Sequence, residues 1–278
     1  MKLVHFDDLR LGVLVDDRVV DITDLVDGAT PQLRLEALIT GWGELSAKVA
    51  AAAKGDGVPV SSVRIRQSVP KPGQLVCAAV NYLERGHPEA GPFNAFLKSP
   101  NSIIGQGDTV ELPDAPVTFF HFEPELALVI GKPASHLRPE EAMDHIFGYT
   151  PFIDVSARGL PGGFFLGKSW HTFAPLGPAL VTADEVPEPN NLRVDFAVNG
   201  NVQQSYSTTD MARHIPELLA EITKVIALSP GDVVATGVHH EGLAPIPGGV
   251  RVTVTIEHAS APPSNSSPTT PRTAPGSC

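Results

Sequence analysis

The stretch TFFHFEPELALVIGK, residues 118–132, carries the most unusual pattern in the chain. It reads as a buried strand from Leu126 to Ile130, closed by a Gly131-Lys132 turn. Two acids, Glu123 and Glu125, stand at its entrance with Pro124 between them. In an extended backbone, residues i and i+2 project to the same face, so both carboxylates aim together. Pro124 points the other way and removes one ladder hydrogen bond, which is expected at a strand start or a sheet edge. Acids are seldom buried without a partner. Three readings follow: a solvent-facing strand end with cationic partners, a carboxyl that keeps its proton, or a cation held between the two acids.

A third carboxylate, Asp154, follows another apolar run in YTPFIDVSAR, residues 149–158. Three carboxylates with no cysteine or compact histidine cluster suit a hard, oxygen-seeking ion, Mg²⁺ or Mn²⁺, with Ca²⁺ as a further candidate. Spacing alone does not bring Asp154 beside the glutamates, so the salt-bridged strand end stands next to the metal reading.

The chain has 278 residues, 42% of them hydrophobic and 18% charged, enough for a large buried core. Its net charge of −11 argues against a nucleic-acid surface. No apolar run is long enough to span a bilayer. The opening MKLVHFDDLRLG has no secretory h-region. Two cysteines, Cys77 and Cys278, offer neither a disulfide framework nor a CxxC site. A cytoplasmic setting is expected.

Residues 1–70 alternate short strands and turns, then turn helical from Pro31 to Lys54 with Gly41 and Gly43 as interruptions. This is expected to be a small N-terminal α/β domain. Residues 71–258 hold many short Val/Ile/Leu strands punctuated by Pro and Gly, the pattern of a mainly β (α+β) domain. Helices are expected over 138–148 and 215–227, each with a proline near its start. Residues 259–278 are rich in Ser, Thr and Pro and are expected to be a disordered tail.

The blocks VCAAVNYLE, FLKSPNSIIGQGDTVELP, EPELALVIGK, GYTPFIDVSARG, FFLGKSW and LSPGDVVATG occur here in the order found in the fumarylacetoacetate hydrolase family, which the chain resembles from Met1 to about His258. The resemblance implies a mixed β-roll catalytic domain, a homodimer, and a divalent ion held by Glu123, Glu125 and Asp154. It implies small-molecule β-dicarbonyl or 2-oxo acids as substrates. It places Lys168 beside the substrate as a fixed cation, and Lys98 at a matching block. Arg158 either braces Asp154 or forms a plain structural salt bridge, and it stands with Lys98 among the candidate substrate-binding residues. Thr236 and Gly237 would begin a turn facing the pocket. His121 shares the face of the glutamates and could contact substrate, orient Glu123 or cap the strand.

The chain departs from the family in one telling place. Many members follow Asn-Tyr with a His and then a Glu that look like a water-activating pair. Here NYLERGHPEAG puts Arg85 and Pro88 at those positions. Arginine stays protonated and cannot act as a base. His87 and Glu89 are near but shifted, and stand as the candidate catalytic pair. His239 and His240, after ATGV, are a second source of a base. Pro161 and Val238 also replace residues common in relatives.

The leading expectation is a divalent-metal-dependent hydrolase cleaving a C–C bond in an acylpyruvate-like acid. The alternative is a 2-oxo acid decarboxylase or tautomerase, whose chemistry needs an enolate but no activated water. A non-catalytic metal-binding relative is the third reading.

Overall fold

The structure is a computed structural model. It describes residues 1–84 and 89–260, together with the backbone of Asn265–Pro268.

The opening hairpins form as expected: β1 (Lys2–Phe6), β2 (Arg10–Val15) and β3 (Arg18–Asp21). Thr30 caps the next helix by accepting a hydrogen bond from the Leu33 N–H, with Pro31 in its first turn. Gly41 then divides the helical run into α1 (Pro31–Thr40) and α2 (Trp42–Ala52). After β4 (Val58–Pro59) come β5 (Leu75–Ala79), β6 (Asn94–Lys98) and β7 (Ile103–Ile104). The quoted stretch supplies β8 (Phe119–Ile130), which is followed by α3 (Pro139–Ala142) and β9 (Ile146–Arg158). The remaining elements are α4 (Gly163–Lys168), β10 (Ala174–Pro175), β11 (Ala179–Thr182), β12 (Arg193–Val198), β13 (Asn201–Ser207), α5 (Ile215–Val225), β14 (Val233–Ala235), β15 (Arg251–Ile256) and β16 (Asn265–Pro268).

Ten strands form one mixed sheet in the order β4-β3-β2-β1-β11-β9-β8-β14-β5-β6. The first seventy residues, expected as a small N-terminal domain, therefore extend the main sheet through antiparallel pairing of β1 with β11. A second sheet, β13-β12-β15-β16, packs against β8 and β9. The fold class is mainly β with helices at the faces, as the residue pattern indicated.

The long β8–β9 pair is buried on both sides. Leu126, Leu128 and Ile130 pack with Val194, Phe196, Val252 and Val254 of the second sheet. Ala127 and Val129 pack the opposite way, with Leu35, Leu38, Leu75 and Phe152 beneath α1 and α2. Each large aliphatic side chain so enclosed contributes roughly 1.5–3 kcal/mol. Glu123 and Glu125 fall in the odd-numbered phase, on the side of Ala127 and Val129.

Three expectations need correction. Pro124 lies neither at a strand start nor at a sheet edge but inside β8, opposite Ile153. The even-numbered backbone groups of β8 face β14: Leu126 O accepts from the Thr236 N–H and the Ile130 N–H donates to Asp232 O. β14 pairs only with residues 127–129, so the missing Pro124 N–H falls beyond its end. The Tyr206 hydroxyl caps the Pro124 carbonyl there. The helix expected over 138–148 ends at His145 after a short 3₁₀ turn, because Ile146 and Gly148 are drawn into β9 opposite Ile130 and Val129. The tail expected from residue 259 begins with structure: Ala259 is buried, Ser260 N–H donates to Ile256 O, and the backbone of β16 pairs with β15. The other residues of that tail lie outside the described ones.

Candidate active site

Glu123 and Asp154 stand directly opposite each other in the β8–β9 register. Opposed residues share a face at a Cβ separation of about 5 Å. Glu125, two residues on, projects beside them. All three are buried, and one oxygen from each lies within 4.8 Å of the others.

Three cations surround this cluster. Lys98, at the end of β6, has its side chain fully enclosed; its Nζ pairs with Asp154 and donates to Val155 O at 2.9 Å. Lys168, at the end of α4, bridges Glu123 Oε2 at 2.7 Å and Asp154 Oδ2 at 2.5 Å. Arg158, at the end of β9, pairs with Glu123, which also accepts from the Ser156 hydroxyl at 2.9 Å. Among the described residues no ion pair reaches Glu125. Its partner is the Gly237 N–H, which donates to Oε2 at 2.7 Å.

The electrostatics follow. Burial works to raise the Glu123 carboxyl, but the charges of Lys168 and Arg158 overcome it and hold it at about 2. Glu125 is pushed well up by burial and by the neighbouring Asp154 and Glu123 charges. Burial works to lower Lys168, yet Asp154 and Glu123 raise it above the usual lysine range, so it stays an ammonium. Burial lowers Lys98, against the pull of Asp154. A buried carboxylate with no cationic partner, beside two others, is the donor set a hard divalent ion completes. The residues present therefore fit Mg²⁺ or Mn²⁺ held by Glu123, Glu125 and Asp154.

The cluster opens on a small pocket of about 130 Å³. Phe96 and Phe164, both in its lining, stack on each other with centroids 4.3 Å apart and planes at 11°, and the Lys168 ammonium lies 5.1 Å from the Phe96 ring centre. Arg158, Lys168, Val238 and His240 also line it. A second cavity of about 250 Å³ adjoins, sharing Arg158, Phe164 and Lys168.

Several expected roles change. Arg158 pairs with Glu123 rather than Asp154, reaching diagonally across β8–β9 from its place opposite Phe119; Lys98 pairs with Asp154 instead. Lys98 has no exposed side-chain surface and is not among the residues that line the pocket. Thr236 is fully buried, its hydroxyl donating to Leu126 O at 2.9 Å, so it ties β14 to β8. Gly237 donates its N–H to Glu125, and the next residue of the turn, Val238, lines the pocket. His121 lies on the expected face, half-buried against Phe119 at 4.8 Å, outside the pocket lining, with Nδ1 lacking a partner. Glu89 is exposed and away from the pocket. His87 lies outside the described residues. Ser156 was missed by the sequence reading, since no local pattern marks it; only the β8–β9 register brings it to Glu123. Glu84 was missed too: its Oε1 accepts from both the backbone N–H and the Nδ1–H of His240, at 2.7 and 2.8 Å.

Residues 74–261 match the sequence model of the family described as fumarylacetoacetate (FAA) hydrolase C-terminal. The oxaloacetate tautomerase YisK of Bacillus subtilis (strain 168) is 39% identical over 188 residues, which cover 64% of this chain and 62% of that protein. The match thus spans less than two thirds of the Bacillus protein's length. The human mitochondrial oxaloacetate tautomerase FAHD2A is 37% identical over 221 residues, 76% of this chain and 70% of its own. Among solved structures, maleylpyruvate hydrolase from Sphingobium sp. SYK-6, in complex with manganese (II) ion and pyruvate, superposes with a TM-score of 0.87. Its identity is 33%, over 97% of this chain and 99% of that one.

Proposed function

We propose that this chain, which belongs to the fumarylacetoacetate hydrolase family, is a divalent-metal-dependent enzyme that enolises a small 2-oxo acid of the oxaloacetate type. The observation that carries this reading is the buried Glu123–Glu125–Asp154 cluster opening on a small pocket beside Lys168. The oxaloacetate tautomerases among its relatives support the reaction type.

A bound Mg²⁺ or Mn²⁺ would act as a Lewis acid for the oxygens of a 2-oxo acid, favouring the enolate. The chain's own residues do the rest. Lys168 stays protonated and so serves as a fixed positive charge for a substrate carboxylate, not as a base. Arg158 and Ser156 hold Glu123, Lys98 holds Asp154, and the Gly237 N–H holds Glu125, so the three ligands are preset. The Phe96–Phe164 stack walls one side against water.

Hydrolytic C–C cleavage, the leading expectation from sequence, becomes the second reading. It is favoured by the adjoining cavity, which offers room for an acyl arm, and by the likeness to maleylpyruvate hydrolase. A homodimer and a cytoplasmic setting, the expectations from sequence, complete the proposal.

The test is to incubate Mg²⁺- and Mn²⁺-loaded protein with oxaloacetate and acetylpyruvate in D₂O and follow products by NMR. Metal-dependent deuterium uptake at C3 of oxaloacetate, without new acids, supports enolisation. A pair of carboxylic acids from acetylpyruvate supports hydrolysis, and CO₂ release supports decarboxylation. No turnover of either compound sinks the enzymatic reading.

A further inference from the structure

The sequence has no base at the position where relatives carry a His–Glu pair, yet the pocket still holds a histidine bound to a carboxylate. His240 lines the pocket with Glu123, Glu125 and Asp154. Glu84 accepts its Nδ1–H at 2.8 Å and its backbone N–H at 2.7 Å. The two residues are 156 positions apart, so the pair is assembled by the fold. We propose that His240, oriented by Glu84, is the proton-transferring group of this active site; this rests on the enolising reading above.

The geometry fixes the tautomer. With Nδ1–H donated to a carboxylate, Nε2 carries the lone pair, and among the described residues it has no hydrogen-bond partner. The carboxylate also stabilises the imidazolium that forms when Nε2 takes a proton.

The pair is held from both sides. Gln204 of β13 is buried, and its Nε2 donates to His239 O and to Glu241 O, clamping the loop on either side of His240. The other arm is fixed by the antiparallel bridge of Tyr82 with Met211 and by the Leu83 N–H donating to Asp210 O. Burial works against Glu84 ionising, but the two hydrogen bonds from His240 hold its carboxyl below the usual range.

In the proposed step the C3–H bond of the 2-oxo acid breaks and its proton passes to His240 Nε2. The electron pair forms the C2=C3 double bond and the C2=O π pair moves to oxygen. Solvent supplies a proton to that oxygen, and Nε2 later releases its own to solvent. Atoms and electrons balance as keto becomes enol. His240 is thus a catalytic residue and Glu84 a positioning residue. The charged groups facing His240 are Glu84, His239 and Glu241 on its own loop, His121, and across the pocket Arg158, Lys168 and the three carboxylates.

The experiment uses Mg²⁺-loaded full-length protein with oxaloacetate, measuring turnover and Mn²⁺ affinity together. His240→Ala should lower kcat by roughly 100-fold or more, leave Mn²⁺ affinity unchanged, and regain activity with added imidazole. Glu84→Gln should lower kcat by about 10–100-fold with KM little altered. Glu84→Asp should restore part of that loss, which a merely structural role for Glu84 would not produce. A His240→Ala variant within threefold of wild-type kcat, or a Glu84→Gln variant with wild-type kcat, overturns the assignment. An inactive wild type overturns the enolising reading and the dyad with it.

Discussion

Lys98 and Asp154 form an ion pair sealed from solvent, their side chains 0% and 1% exposed. Neither charge can find water if the other is removed. Lys98→Met leaves Asp154 with Lys168 as its remaining cationic partner, so it should destabilise the metal-free protein by about 1.5–3 kcal/mol, the usual worth of a hydrogen bond to a charged group. Urea denaturation measures it. Added Mn²⁺ should recover part of the loss, since the ion supplies the missing positive charge; a variant as stable as wild type without metal contradicts this role.

Gly237 adopts φ +89°, and a Cβ there would lie 3.2 Å from Asn81 Cβ. Gly237→Ala should cost about 1–2 kcal/mol for the left-handed backbone. It should also weaken Mn²⁺ binding by roughly 10–100-fold, because the N–H that orients Glu125 shifts. Calorimetric titration separates the two effects; unaltered affinity would detach Gly237 from the ligand set.

Lys168 stands as a fixed cation between Glu123 and Asp154. Lys168→Met should lower turnover of the active substrate by roughly 100-fold or more while not weakening divalent-ion binding. Steady-state kinetics beside a Mn²⁺ titration gives the answer. Turnover at the wild-type level would remove Lys168 from the chemistry.

His5 is a stability sensor far from the pocket. It is 1% exposed, with Nδ1–H donated to Ser68 O at 3.2 Å and Nε2 without a partner. Burial lowers its pKa from 6.5 to about 4, against the Ser68 carbonyl and with help from Arg34. The unfolded chain then binds more protons between those values, so stability is complete above pH 6.5 and falls as pH drops towards 4. The loss is on the order of 3 kcal/mol. His5→Leu should flatten that decline in denaturation curves at pH 7, 5.5 and 4; parallel curves would refute it.

What the sequence made legible was local. The i, i+2 phase of Glu123 and Glu125 on an apolar strand was readable because it depends on one strand alone. Asp154 was recognisable as a candidate ligand by resemblance, but its place opposite Glu123 depends on the register of two long strands. The supports of the ligands were misread for the same reason. Lys98 makes the pairing with Asp154 that was expected of Arg158, and Arg158 pairs with Glu123, because these contacts come from β6 and the end of β9 and not from sequence neighbours. Pro124 was taken for an edge signal, yet its missing donor is tolerated inside the sheet because β14 stops short of it. The Glu84–His240 pair joins two loops that no local pattern connects.

The account rests on Glu123, Glu125 and Asp154 holding a divalent ion. Its most direct test is calorimetric titration of Mn²⁺ into chelator-stripped protein, wild type beside Glu125→Gln. One ion per chain in wild type, with affinity reduced by roughly 100-fold or more in the variant and the fold unchanged by circular dichroism, is the predicted result. No binding in wild type, or equal affinity in the two proteins, would contradict it.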